Sequence, residues 1–160
     1  MSNDGMTIIG IDPGAKGAVS IIRGHTLLSC FDLLAADGRT DTAPLLEALQ
    51  TLYVSEHKAT TLVALEKPNP QPTFGAKTNH SMGRSIGAIE ATVMCCGFRL
   101  EYATPSAWKK AMGLTANKAD SLVMAERLWP NTGYFKRKKD DGRAESALIA
   151  EWYRTKKVGL

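Results

Sequence analysis

Two short apolar runs, Met6-Thr7-Ile8-Ile9-Gly10-Ile11 and Thr61-Leu62-Val63-Ala64-Leu65, each end on a carboxylate, Asp12 and Glu66. Unbroken runs of this length read as strands buried on both faces. Between them, Pro44 and the helical spacing of Leu45, Leu46, Leu49 and Leu52 predict a helix from about residue 44 to 56. A helix joining two buried strands is a crossover connection. It makes strand 61–66 parallel to strand 6–11 and brings both C-terminal ends to one edge of the sheet. Asp12 and Glu66 are therefore expected side by side.

The other elements follow from the same patterns. The runs 17–23 and 26–31, set off by the turns Asp12-Pro13-Gly14 and Arg23-Gly24-His25, predict an antiparallel meander with the first strand. The segment Pro68-Asn69-Pro70-Gln71-Pro72 can be neither helix nor central strand, and reads as an ordered loop leaving the acidic edge, where loops contact substrate. A helix from about 77 to 96 is rich in small residues, among them Ser81, Gly83, Ser85, Gly87, Ala88 and Ala91, with Gly97 as its stop. Phe98-Arg99-Leu100-Glu101-Tyr102 alternates like a strand, and Thr104-Pro105 places an N-cap and first helical residue. Helices at about 117–129 and 141–155 complete an α/β chain. At 160 residues and 44% hydrophobic, residues 1–160 read as one globular domain with a sizeable core.

Two further acids stand out on the last helix. Asp141, Glu145, Leu148 and Trp152 fall at i, i+4, i+7 and i+11, so the carboxylates extend a stripe that faces the core. Each acid alone has an ordinary account: Asp-Pro-Gly is a common turn, Glu before Lys-Pro can end a strand, and Asp141 suits a helix start. Taken together they differ. Burying a charge is costly unless a cation compensates it. Oxygen ligands converging from separate elements are what Mg²⁺ requires, since it takes carboxylates and keeps waters for its substrate. Three elements carrying four acids can enclose a pair of ions, the arrangement that supports phosphodiester hydrolysis.

Charge distribution agrees with a polyanionic partner. The net charge is +4, but residues 1–98 carry 7 Lys/Arg against 9 Asp/Glu, whereas residues 99–160 carry 13 against 7. The cluster Lys136-Arg137-Lys138-Lys139 runs directly into Asp140-Asp141, as a region holding nucleic-acid backbone beside a metal would; alone it reads more readily as a solvated surface loop. Three cysteines, two of them adjacent at Cys95 and Cys96, match neither a disulfide framework nor a zinc site and are expected to be reduced core residues. With no signal-like N-terminus and no run approaching the roughly 18 apolar residues of a membrane span, the expected location is the cytoplasm of a bacterial cell or of a phage's host.

Several of these segments together resemble a known family. Ile9-Gly10-Ile11-Asp12-Pro13-Gly14, Ala64-Leu65-Glu66, Ser81-Met82-Gly83-Arg84-Ser85-Ile86-Gly87, Thr104-Pro105-Ser106-Ala107-Trp108-Lys109-Lys110 with Gly113 and Lys118, and Asp141-Gly142-Arg143-Ala144-Glu145-Ser146-Ala147 resemble RuvC-type Holliday junction resolvases, in order and over almost the whole chain, in a compact form like phage-encoded members. The resemblance implies an RNase H-like fold with a five-stranded mixed sheet flanked by helices, a homodimer, and two Mg²⁺ ions per site, or Mn²⁺, driving symmetric nicking of four-way DNA junctions. Carried over by position, the metal ligands and catalytic residues would be Asp12, Glu66, Asp141 and Glu145. The family usually places the upstream helix acid three residues before the last, where this chain has Gly142, so Asp141 takes that role with Asp140 in reserve. Lys109 and Lys118 match basic positions beside the DNA backbone, and Phe74 the aromatic that stacks on bases at the crossover. Lys136, Arg137, Lys138 and Lys139 add a basic surface.

Three other functions remain open at this stage. A nuclease of the same fold could act on flaps, forks or other branches, and a catalytically silent module could bind junctions without cutting. An actin-like sugar kinase also opens with Asp-x-Gly after a strand, but that fold needs two such domains, for which 160 residues are too few.

Overall fold

In the computed structural model, which describes residues 5–67 and 72–158, the first strand is the axis of the molecule. Strands β1 (Thr7–Asp12), β2 (Gly17–Arg23) and β3 (Thr26–Leu33) form the expected antiparallel meander. A two-stranded hairpin, β4 (Ala35–Ala36) and β5 (Arg39–Thr40), precedes helix α1 (Ala43–Tyr53), and β6 (Thr61–Glu66) then returns parallel to β1. Helix α2 (Ala76–Cys95) leads to β7 (Arg99–Ala103), parallel to β6. Helices α3 (Pro105–Ala111), α4 (Lys118–Leu128) and α5 (Asp141–Val158) close the chain. The main sheet has the order β3-β2-β1-β6-β7, a mixed five-stranded sheet with helices on both faces.

Side-chain alternation along β1 divides the core in two. Ile9 and Ile11 join Val63 and Leu65 of β6 beneath α1 and α2, through Leu45, Leu49, Ile89 and Val93. Ile8 joins Leu62 and Ala64 on the opposite face, under Trp108 of α3, Ala125 of α4 and Leu148 of α5. Residues two apart share a face, so Gly10 and Asp12 of β1 and Glu66 of β6 belong to the face that α5 covers.

Gly10 sets how closely α5 can approach. A Cβ there would stand 2.0 Å from the Ser146 carbonyl oxygen and 2.7 Å from the Ala150 nitrogen, so helix backbone rests directly on strand backbone. Gly142 does the same one turn earlier, where a Cβ would lie 2.3 Å from the Lys16 carbonyl. Small residues Ala144, Ala147 and Ala150 fill the remaining contact. Ser146 and Ser20 of β2 share a 2.7 Å hydroxyl contact, and Arg143 binds both carboxylate oxygens of Asp32 on β3 at 2.6 and 2.8 Å.

Local differences from the sequence reading have physical causes. The β4–β5 hairpin was not expected; Asp37 and Gly38 turn it in the left-handed region, with φ of 51° and 71°. Thr104 occupies the N-cap of α3 but makes no side-chain capping bond. The cysteines are free; Cys30 is buried in the core, accepting from the Ser20 hydroxyl, Cys96 is partly buried against the core, and Cys95 is exposed on α2. Residues 68–71 of the expected proline-rich loop lie outside the described residues. None of the described helices is long and apolar enough to cross a membrane.

Candidate metal centre

Asp12 is the last residue of β1, and Glu66 the last of β6. The β1–β6 register pairs Ile11 with Leu65, so the two acids occupy the next, adjacent positions. Helix α5, lying on Gly10, adds Glu145 from above. Carboxylate oxygens of Asp12, Glu66 and Glu145 all lie within 4.8 Å of one another, the one acidic grouping of its kind among the described residues.

Little else neutralises this trio. The Gly14 N–H donates to Asp12 Oδ1 at 3.0 Å, the indole Nε1 of the fully buried Trp108 donates to Glu66 Oε1 at 2.8 Å, and Lys109 Nζ donates to Glu145 Oε1 at 2.9 Å. Burial pushes the Asp12 carboxyl up to about 8, with Glu66 and then Glu145 adding repulsion that the Gly14 N–H and Lys118 only partly offset; part of the residue reaches solvent, but its acid group is enclosed. Burial also raises Glu66, with Glu145 adding to the rise, while the Trp108 bond and Lys109 oppose it. Like charges pressed together in a poorly solvated site are held apart from ionisation until a cation arrives. Hard oxygen donors on three rigid elements fit a divalent cation such as Mg²⁺ or Mn²⁺.

Asp141 stands outside this trio. It is buried, but its Oδ2 accepts from Lys118 Nζ of α4 at 2.5 Å. Asp140 is committed elsewhere: it receives the Arg137 backbone N–H at 2.8 Å and the guanidinium at 2.7 and 3.0 Å. Burial alone would raise the Asp140 carboxyl, but these bonds and the Arg137 charge carry it below the ordinary range. Arg137 is thus drawn into an ion pair, whereas Lys136, Lys138 and Lys139 are exposed. Phe74 is 43% exposed just before α2.

Sequence reasoning gave no role to Trp108, Gly10 or Gly142. Trp108 lies inside the Thr104–Lys110 segment, but its bond to Glu66 depends on how α3 packs behind β6. The glycines signal themselves only once α5 is placed on the sheet.

No family model matches the sequence, and no curated protein matches it. Solved structures do. "T. thermophilus RuvC in complex with Holliday junction substrate" is similar over 95% of this chain and 96% of the other, at 16% identity and a TM-score of 0.65. "Thermus thermophilus RuvC structure" is similar over 95% and 97%, at 17% identity and a TM-score of 0.64. At this identity the likeness is one of fold, and the fold is RNase H-like.

Proposed function

We propose that this chain is a metal-dependent DNA endonuclease that resolves four-way junctions by paired, symmetric nicking. The observation that carries the reading is the convergence of Asp12, Glu66 and Glu145 from β1, β6 and α5, with their oxygens within 4.8 Å, on the fold shared with RuvC. These three residues would hold the divalent cations, and Asp141 would join them by exchanging its Lys118 partner for an ion. Bound Mg²⁺ would acidify a water for attack on phosphorus and stabilise the departing 3′ oxygen, leaving a 5′ phosphate.

The chain's own groups then have distinct tasks. Trp108 holds one oxygen of Glu66 and so fixes the orientation of its carboxyl group. Lys109 and Lys118, one from each flanking helix, offset carboxylate charge that would otherwise repel DNA backbone, and either can turn to a phosphate once cations take its place. Exposed Lys136, Lys138 and Lys139, with Arg137 beside them, would add sequence-independent, salt-sensitive affinity. Phe74 offers an exposed ring for an unpaired base.

Paired cuts need two sites related by a two-fold axis. Helix α2 supplies a surface for such a homodimer: Gly83, Gly87, Ala91 and Met94 are exposed along one side, and a Cβ at either glycine would meet nothing within 4 Å. Close helix packing favours such small residues.

The test is cleavage of a labelled four-way junction, a fork and plain duplex, with and without Mg²⁺, by the wild type and Glu66→Gln. Metal-dependent paired nicks confined to the four-way junction, and absent from the variant, are expected. Equal cutting of forks would move the function to a broader branch nuclease, and junction binding without cleavage would leave a silent binding module.

A further inference from the structure

One face of α4 forms the wall of a groove of about 600 Å³ whose other wall is the segment from Phe135 to Lys138. Ala119, Leu122 and Val123 fall at i, i+3 and i+4 and make the helical wall apolar, yet Val123 is 70% exposed. Cations stand around this apolar floor. Arg127, Lys136 and Lys138 are exposed and have no ion-pair partner among the described residues, whereas Arg137 is taken by Asp140. Glu126, the one acid among the described lining residues, is withdrawn from the surface: its Oε1 accepts the Asn131 N–H at 3.2 Å and its Oε2 is buried. An exposed apolar floor ringed by unpaired positive charge is complementary to an acidic segment that carries apolar side chains. A nucleic-acid strand fits less well. Its phosphates would meet the cations, but the floor is aliphatic, and Phe135, the one ring in the lining, is too buried at 4% exposure to stack on a base.

We propose that this groove docks a partner protein through an acidic segment, with apolar side chains seated on Leu122 and Val123 and carboxylates facing Arg127, Lys136 and Lys138. The groove starts one residue after Lys118, whose amine pairs with Asp141, so the partner is held beside the metal centre. The assignment stands on the groove alone and does not require the nuclease reading.

The test follows the fluorescence anisotropy of a labelled synthetic peptide, with leucine at i, i+3 and i+7 and glutamate between, titrated with the full chain at low and moderate salt in the absence of DNA. The wild type is expected to bind, with a loss of about tenfold in Arg127→Glu and of several-fold in Val123→Ser. Lys139→Glu, the same charge change outside the lining, should cost less than Arg127→Glu. The Arg127→Glu loss should shrink as salt rises, while the Val123→Ser loss stays the same. Unchanged melting temperatures in all three variants report an intact fold. A peptide with serine in place of leucine that binds as tightly overturns the docking groove in favour of a diffuse cationic surface. So does a peptide that does not bind the wild type, or one whose binding Val123→Ser and Arg127→Glu leave intact. Four-way junction affinity that falls with Val123→Ser, where the peptide fails to bind, gives the groove to nucleic acid instead.

Discussion

Near its C-terminal end, α5 buries Glu151 beside Arg154, whose guanidinium meets both carboxylate oxygens at 2.6 and 2.8 Å, with both side chains 10% exposed or less. Near its N-terminal end, the same helix buries Glu145 against Asp12 and Glu66, where the cations in reach are two lysines for four carboxylates, Asp141 included. The first arrangement is complete: a planar, permanently charged fork satisfies one acid. The second has more carboxyls than cations, so burial and mutual repulsion hold Asp12 and Glu66 towards their protonated forms, and the Lys118 side chain beside them is 72% exposed. A helix that can neutralise an acid fully at one end and does not at the other marks the second end as a place for something the chain itself does not provide.

That contrast can be broken at either end. The largest effect is expected for Glu145→Gln: junction cleavage should fall by about 10³-fold or more, several kcal/mol of transition-state stabilisation, while metal-free thermal stability is unchanged or improved. Gel-based cleavage rates and melting curves in EDTA check both halves. Next, Glu151→Gln removes the negative charge opposite the buried Arg154 guanidinium and should cost about 3 kcal/mol of stability by denaturant titration, with the cleavage rate per folded molecule preserved. If Glu145→Gln instead unfolds the protein and Glu151→Gln does not, the two ends have been assigned the wrong way round.

A pH series sharpens the comparison. The fold raises the Asp12 carboxyl from 3.8 to about 8, so the folded chain prefers it protonated. The stabilisation this brings is full below about pH 4 and is lost as the pH rises through 8. Metal-free protein should therefore melt lower at pH 8 than at pH 5, by about 5 °C or more, with Asp12→Asn flattening the trend and Mg²⁺ restoring stability most at high pH. The smallest effect belongs to Trp108→Phe, which keeps the packing but removes the donor to Glu66. Mn²⁺ affinity by calorimetry should drop about tenfold, in the range for groups that orient metal ligands, and an unchanged affinity would deny Trp108 that part.

The sheet was legible because its inner strands are buried on both faces and its crossover has only one hand, so Asp12 and Glu66 could be paired from apolar runs alone. The β4–β5 hairpin was not, since two-residue strands carry no periodicity. Helical spacing correctly set Asp141 and Glu145 on one buried face, but could not tell that Lys118, 23 residues upstream, pairs with Asp141. Asp140 illustrates the same limit: beside Asp141 in sequence, it turns instead to Arg137. Gly142 explains why this chain carries no acid three residues before Glu145. Gly142→Asp would bring a Cβ within 2.3 Å of the Lys16 carbonyl, so a side chain there would lift the helix from the β1–β2 turn.

The seat of α5 on Gly10 also bears on when the acidic centre is assembled. Asp12 and Glu66 are synthesised early, but Glu145 joins them only after the last helix has left the ribosome and settled on the first strand. A nascent or truncated chain thus carries basic residues and two of the three clustered carboxylates without a finished acidic centre, and that centre is completed in the same step that completes the core.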